Sequence, residues 1–182
     1  MRKINEIFYS LQGEGFHVGT PALFIRFSGC NLHCDFCDTK HTEGKYMDDE
    51  EILLHVRQCP AKTVILTGGE PSLSIDSNFV DMLHKEGKFV CVETNGTHKL
   101  PENIDWITCS PKENSIIKLQ KANEVKIVYT QQDVEQYYHN IKAQYYFLQP
   151  CSCKNTDEVI EYIKKHPWWR LSLQTHKLIN IP

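Results

Sequence analysis

The sequence predicts an α/β fold: an incomplete, open six-stranded parallel (β/α) barrel with reduced helix content, in a single domain over residues 1–182. Three observations predict it. Short β-rich runs recur along the chain, and most are near-continuously apolar, as strands covered on both faces are. Stretches with helical spacing stand between several of these runs, an order that makes parallel strands joined by crossovers. Other crossovers are abbreviated, and a chain of 182 residues with missing helices excludes a regular eight-fold barrel. A hydrophobic fraction of 41% is enough for a substantial core, and no linker, repeat or low-complexity tract divides the chain. Ligands of such a sheet gather at the carboxyl ends of its strands.

Residues 4–9 alternate as a strand and lead into the turn Leu11-Gln12-Gly13-Glu14-Gly15. The first core strand is 22–28, and a cysteine-rich loop follows it. Helical spacing resumes over 48–58, where Asp48 caps and Glu51 completes a box-like start. Strand 63–67 ends in Thr67-Gly68-Gly69-Glu70-Pro71, and a helix over 76–86 stops at Gly87. Strand 89–93 runs into Thr94-Asn95-Gly96. The stretch up to Trp106 is too broken by Gly and Pro to hold a full helix. Strand 106–110 ends in Ser110-Pro111-Lys112, and 115–122 has room for a short helix only. Strand 124–129, a helix over 132–141, strand 145–149, a helix over 156–165 and a last strand over 170–173 complete the order.

Charge and cysteine usage limit the function classes. Lys and Arg total 20 against 23 Asp and Glu, a formal charge of -3 with no basic block, so no nucleic-acid footprint is expected. The amino terminus enters a strand at once, without a signal peptide's apolar core or a spanning stretch of about twenty apolar residues. A cytoplasmic enzyme with no membrane partner is expected. Of the eight cysteines, Cys59 ends a helix and Cys91 and Cys109 lie inside apolar strands, where a reduced thiol packs as a small side chain. Cys151 and Cys153 form a Cys-x-Cys pair read as an ordinary loop, with a second metal site as the alternative.

Cys30, Cys34 and Cys37 stand within eight residues. They supply one thiolate too few for a closed tetrahedral site or a fully ligated cubane, so a 4Fe-4S cluster held by them keeps one iron open. A zinc knot completed by His33 or His41 is the competing reading, and no second ligand pair follows at zinc spacing. The strand ends carry polar groups: Glu70, able to accept from an ammonium group, then Glu93-Thr94-Asn95, then Lys112, a flexible point charge, then Gln149-Pro150-Cys151-Ser152. Any one of them alone is an ordinary turn; together they describe a rim. Arg26 interrupts an apolar strand, where an unpaired charge is costly, so it requires an anionic partner, either a ligand carboxylate or an acidic neighbour.

The Cys-x3-Cys-x2-Cys loop after strand 22–28, with the later Gly-Gly-Glu, resembles the radical S-adenosylmethionine superfamily and implies its type of open barrel. The segments Leu11-Gln12-Gly13-Glu14-Gly15 and Leu173-Gln174-Thr175-His176-Lys177-Leu178-Ile179-Asn180-Ile181-Pro182 narrow the likeness to the 7-carboxy-7-deazaguanine synthase family, over essentially the full chain. That resemblance implies a lyase of queuosine and deazapurine biosynthesis. It converts 6-carboxy-5,6,7,8-tetrahydropterin to 7-carboxy-7-deazaguanine with loss of ammonia, by hydrogen abstraction from C6 and ring contraction. No side chain is assigned as a catalytic acid or base, because the cluster and the adenosyl radical carry the chemistry.

Carried over by position, the resemblance implies Cys30, Cys34 and Cys37 on a 4Fe-4S cluster and Thr39 on Mg2+, completed by substrate oxygens and water. It implies S-adenosylmethionine contacts at Phe36, Cys37, Asp38, Gly69, Glu70, Ser110, Pro111, Lys112, Gln149, Pro150, Cys151 and Ser152. Substrate contacts are implied at Leu11, Gln12, Gly13, Arg26, Thr67, His176 and Pro182, the last through a free terminal carboxylate. A homodimer and a flavodoxin or ferredoxin as electron donor are implied partners. Two competitors stand beside this: a glycyl-radical activase, which leaves both terminal segments unexplained, and a non-enzymatic zinc or iron-sulfur binding protein.

Overall fold

A computed structural model describes residues 1–35, 37 and 43–182. Within them one nine-stranded sheet forms, in the spatial order β3-β1-β2-β4-β5-β6-β7-β8-β9. The strands are β1 (Arg2–Leu11), β2 (Pro21–Phe27), β3 (Lys45–Met47), β4 (Thr63–Gly68), β5 (Phe89–Thr94), β6 (Trp106–Cys109), β7 (Glu124–Tyr129), β8 (Tyr145–Pro150) and β9 (Arg170–Leu171). The run from β2 through β4, β5, β6 and β7 to β8 is parallel throughout and holds the six expected core strands, with β9 added in parallel at one edge. The sheet is open, as expected for an incomplete barrel.

Two departures lie at the other edge. β1 pairs antiparallel with β2, because the connection across residues 12–20 is a folded-back loop too short for a crossover. Its closure is visible in the bonds from the Gln12 amide to the Thr20 carbonyl at 2.8 Å and from the Gly19 amide to the Gln12 carbonyl at 2.7 Å. β3, which no periodicity in the sequence announces, adds antiparallel to β1 through Arg2 to Ile4.

The helices are α1 (Asp49–Gln58), α2 (Ser77–Lys85), α3 (Glu135–Asn140), α4 (Thr156–Lys165) and α5 (Thr175–Leu178). The expected box at the start of α1 is formed: the Glu51 amide donates to Asp48 Oδ1 and the Asp48 amide to Glu51 Oε2, both at 2.8 Å. Asp76 caps α2 through the Phe79 amide at 2.9 Å. No helix joins β5 to β6, as the broken composition of that stretch requires, and none joins β6 to β7. In place of a short helix at 115–122, the Lys118 and Leu119 amides both reach the Gly96 carbonyl.

Alternation along the strands sorts the two faces of the sheet. On one face Leu23, Ile25, Phe27, Val64, Leu66, Val90 and Val92 pack with Ile52, Leu53, Val56, Phe79, Val80 and Leu83 of α1 and α2. The same face continues with Val125, Ile127, Tyr129 and Leu148 against Val134, Tyr137, Val159 and Trp169. The opposite face carries an apolar cluster near the amino ends of the strands, formed by Ala22, Phe24, Ile65, Cys91 and Trp106. Further along that face, Arg26 and Thr67 stand side by side in register, as do Lys126 and Phe147. An aromatic floor and a polar mouth result from one strand parity, and the mouth lies at the carboxyl ends, as the fold class predicts.

Candidate active site

The polar mouth is a cavity of about 550 Å³, within the usual size of small-molecule sites. Three cysteines from the loop after β2 line it, Cys30, Cys34 and Cys37. Thr67, Gly68 and Gly69 line it from the end of β4, Glu93 to Asn95 from β5, Ser110 and Lys112 after β6, Lys126 from β7, and Gln149 to Ser152 from β8. Leu11, Gln12, Gly13 and Glu14 enter from one end of the chain and Gln174, His176, Lys177 and Pro182 from the other.

The cysteine loop is held by its neighbours rather than by helix or sheet. The Glu70 amide donates to the Gly29 carbonyl at 2.8 Å, and the Gly69 amide to the Phe27 carbonyl at 2.9 Å. A Cβ on Gly69 would lie 1.8 Å from the Gly29 oxygen, so this glycine is required by backbone meeting backbone. Asn31 adds two bonds: its Nδ2 donates to Thr97 Oγ1 at 2.9 Å, and its Oδ1 accepts from Asn95 Nδ2 at 3.0 Å. The Thr-Asn-Gly-Thr turn after β5 is therefore a brace for the cysteine loop.

The three thiols suit a shared cluster by their chemistry, and all three line the one cavity. Burial pushes the Cys34 thiol up, Lys112 draws it down, and the Cys37 and Cys30 thiols push it up again, so the sulfurs stand close enough to feel one another's charge. Among the described residues no trio of His, Cys, Asp or Glu is gathered around the position of one metal ion. Of the ligands that the competing zinc reading requires, His41 lies outside the described residues.

Charge in the cavity centres on Lys126, which is 5% exposed and sits 2.8 Å from Glu14 and 2.9 Å from Glu93. Burial pushes Glu14 up, but Lys126 and a bond from Gln174 outweigh it and hold the carboxyl at about 2. Burial also pushes Glu93 up, and there Glu124 and Glu14 add to it against Lys126, leaving it at about 7. Burial lowers Lys112, with Cys34 opposing. Neither Lys126 nor Gln174 was singled out from sequence, although a lysine inside the apolar run Val125-Lys126-Ile127-Val128 is a visible signal of the kind that Arg26 gives.

The comparisons with known proteins agree with this geometry. The Radical SAM superfamily matches residues 24–143. A 7-carboxy-7-deazaguanine synthase of Bacteroides thetaiotaomicron is 61% identical over 181 residues, covering 100% of this chain and 99% of the relative. The chain belongs to the 7-carboxy-7-deazaguanine synthase family. A second member, from Burkholderia multivorans, is 39% identical across 98% of both chains. The crystal structure of QueE from Escherichia coli superimposes with a TM-score of 0.80 at 33% identity, covering 94% of this chain and 93% of that one.

For a member of this synthase family, the residues named from sequence gather well. All seven expected substrate positions line the cavity, as do the three cysteines and, of the expected cofactor contacts, Gly69, Ser110, Lys112 and Gln149 to Ser152. Glu70 does not. It is 1% exposed, and its carboxylate accepts from Thr94 Oγ1 at 2.6 Å, the Asn95 amide at 2.7 Å and the Ser72 amide at 3.1 Å. Pro111 is buried beside the cavity without lining it. Arg26 lines the cavity but pairs with Glu6 at 2.7 Å, the acidic neighbour that its position in the strand allowed. Phe36, Asp38 and Thr39 lie outside the described residues.

Proposed function

We infer that this chain is a radical S-adenosylmethionine lyase that converts 6-carboxy-5,6,7,8-tetrahydropterin to 7-carboxy-7-deazaguanine with release of ammonia. What carries the reading is the meeting, in one cavity, of three thiols with residues from both ends of the chain. Full-length identity of 61% to a synthase of that name supports the same chemistry. Superfamily membership implies a 4Fe-4S cluster and S-adenosylmethionine. When bound, they supply the radical that removes hydrogen from C6 of the substrate, after which the ring contracts.

The chain's own residues bind, orient and exclude water. Cys30, Cys34 and Cys37 hold the cluster. Gly69, Ser110, Lys112 and Gln149 to Ser152 take the methionine and ribose portions of the cofactor, with Phe36 and Asp38 beside Cys37. Leu11, Gln12, Gly13, Thr67, His176 and Pro182 receive the pterin. Arg26 turns from Glu6 to the substrate carboxylate, and Thr39 holds Mg2+ together with substrate oxygens. Glu70 and Pro111 act by holding the loops that make these contacts. Residues 1–182 work as one domain, in a homodimer supplied with electrons by a flavodoxin or ferredoxin of the cytoplasm. No helix among the described residues is long and apolar enough to cross a membrane.

Mass spectrometry after anaerobic cluster reconstitution tests the reading, with 6-carboxytetrahydropterin, S-adenosylmethionine, Mg2+ and a reductant present. Formation of 7-carboxy-7-deazaguanine is expected. Accumulation of 5'-deoxyadenosine without that product would keep the radical chemistry and remove the substrate assignment.

A further inference from the structure

The cavity holds a charge arrangement that the substrate and cofactor assignments leave unused. Lys126 projects from β7 between two carboxylates that come from different walls, Glu14 from the loop after β1 and Glu93 from β5. The two are not equivalent. Glu14 has further donors in Gln149 Nε2 at 3.1 Å and Gln174 Nε2 at 2.9 Å, so it is fully committed to the protein. Among the described residues Glu93 has Lys126 on Oε2 and the Gln12 amide group alone on Oε1, at 3.1 Å. Gln12 is itself anchored, since its Oε1 accepts from the Glu14 amide at 3.2 Å.

We propose that Lys126 is a positioning residue for this site: by bridging Glu14 and Glu93 it fixes the Glu93 carboxylate against the cavity and sets whether that group carries a proton. Among the described residues the charged groups that act most strongly on Glu93 are Lys126 and Glu124 from β7 and Glu14 from the loop. Its register neighbour on β6 is the uncharged Thr108, whose hydroxyl donates to Glu124 at 3.0 Å. Lys126 therefore faces three carboxylates, Glu124 buried and Glu14 and Glu93 partly so, with Lys112 and His176 as further titratable groups acting on Lys126 and Glu14, and the least committed carboxylate takes up the imbalance. The consequence is a carboxyl that changes charge near neutrality beside the bound ligand. Burial and the two neighbouring carboxylates raise it, while Lys126 limits the rise. The inference rests on the proposed function only for the identity of that ligand.

Two substitutions move Glu93 in opposite directions. Lys126→Met removes the opposing cation and makes Glu93 hold its proton about tenfold more tightly, or more. Glu14→Gln removes a neighbouring anion and frees Lys126 for Glu93, which loosens that proton. Lys126→Arg keeps the charge and returns Glu93 towards the parent value.

The readout is the infrared carbonyl band of protonated Glu93 in the anaerobic, cluster-loaded enzyme without substrate, followed against pH and identified by its loss in Glu93→Gln. The ionisation that governs kcat/KM for the pterin should then shift with the same sign in each variant. Titration of parent Glu93 in the ordinary carboxylate range, or a shift of the same sign in both variants, overturns the proposal. So does a band that shifts while the kcat/KM profile stays still. Because the infrared titration needs no substrate, it still decides the charge state of Glu93 if the pterin assignment fails. If Lys126→Met does not fold, the Glu14→Gln and Lys126→Arg pair decides by the same signs.

Discussion

Gly13 and His176 meet so closely that a Cβ on Gly13 would lie 2.1 Å from His176 Nδ1. Alanine there expels the imidazole from its place at the cavity wall. The expected result for Gly13→Ala is a rise in KM for the pterin of about tenfold with a small loss of stability, on the order of 1 kcal/mol, read from kinetics and urea melts on one preparation. An unchanged KM would remove His176 from the substrate wall. Glu70 makes the complementary case. Glu70→Gln keeps the shape but presents an amide group to donors that need an oxygen. A loss of about 2 kcal/mol in urea unfolding is expected, because a buried donor is left without an acceptor. Gly-Gly-Glu at the end of a core strand suggests an ammonium acceptor at Glu70. Where the carboxylate points depends instead on Thr94 and Asn95, which arrive from the next strand.

At the scale of elements, the local signals that survive in the structure are those satisfied within a few residues. The box at the start of α1 closes on positions 48 and 51, so it was legible from Asp48 and Glu51 alone. Asp48→Ala should cost about 1 kcal/mol in thermal or urea melts and leave kinetic constants as they were, since α1 packs on the face away from the cavity. α3 begins three residues later than the spacing of 132–141 implies. Gln132 is drawn into bonds with the Thr130 amide and the Val128 carbonyl, and the chain before Glu135 is spent on a turn. β3 is three residues long and exposed on two of them, and only its pairing with β1 makes it a strand.

For the whole molecule, the two carboxyls that share Lys126 give stability an opposed dependence on pH. Glu14 lies at about 2 in the fold against an ordinary value of 4.5, so its contribution is full above 4.5 and is lost as pH falls towards 2. Glu93 lies at about 7, so its contribution is full below 4.5 and is lost as pH rises from 4.5 to 7. Melting temperature measured across this range in Glu93→Gln should lose the decline between pH 4.5 and 7 and retain the acid limb. A decline identical to the parent's would place its origin in other groups.

The chain's own periodicity and composition decided the six parallel core strands, the abbreviated crossovers after β5 and β6, and the cysteine loop at a carboxyl end. Each of these depends on residues adjacent in sequence or on strand parity, which hydrophobic pattern reports directly. Only the tertiary structure decided that β1 runs antiparallel, that Arg26 meets Glu6, that Glu70 turns from the cavity, and that Lys126 joins Glu14 to Glu93. These outcomes depend on partners brought from distant positions, Gln174 to Glu14 across 160 residues among them. A buried charge announces that it needs a partner; which partner it finds is a property of the fold.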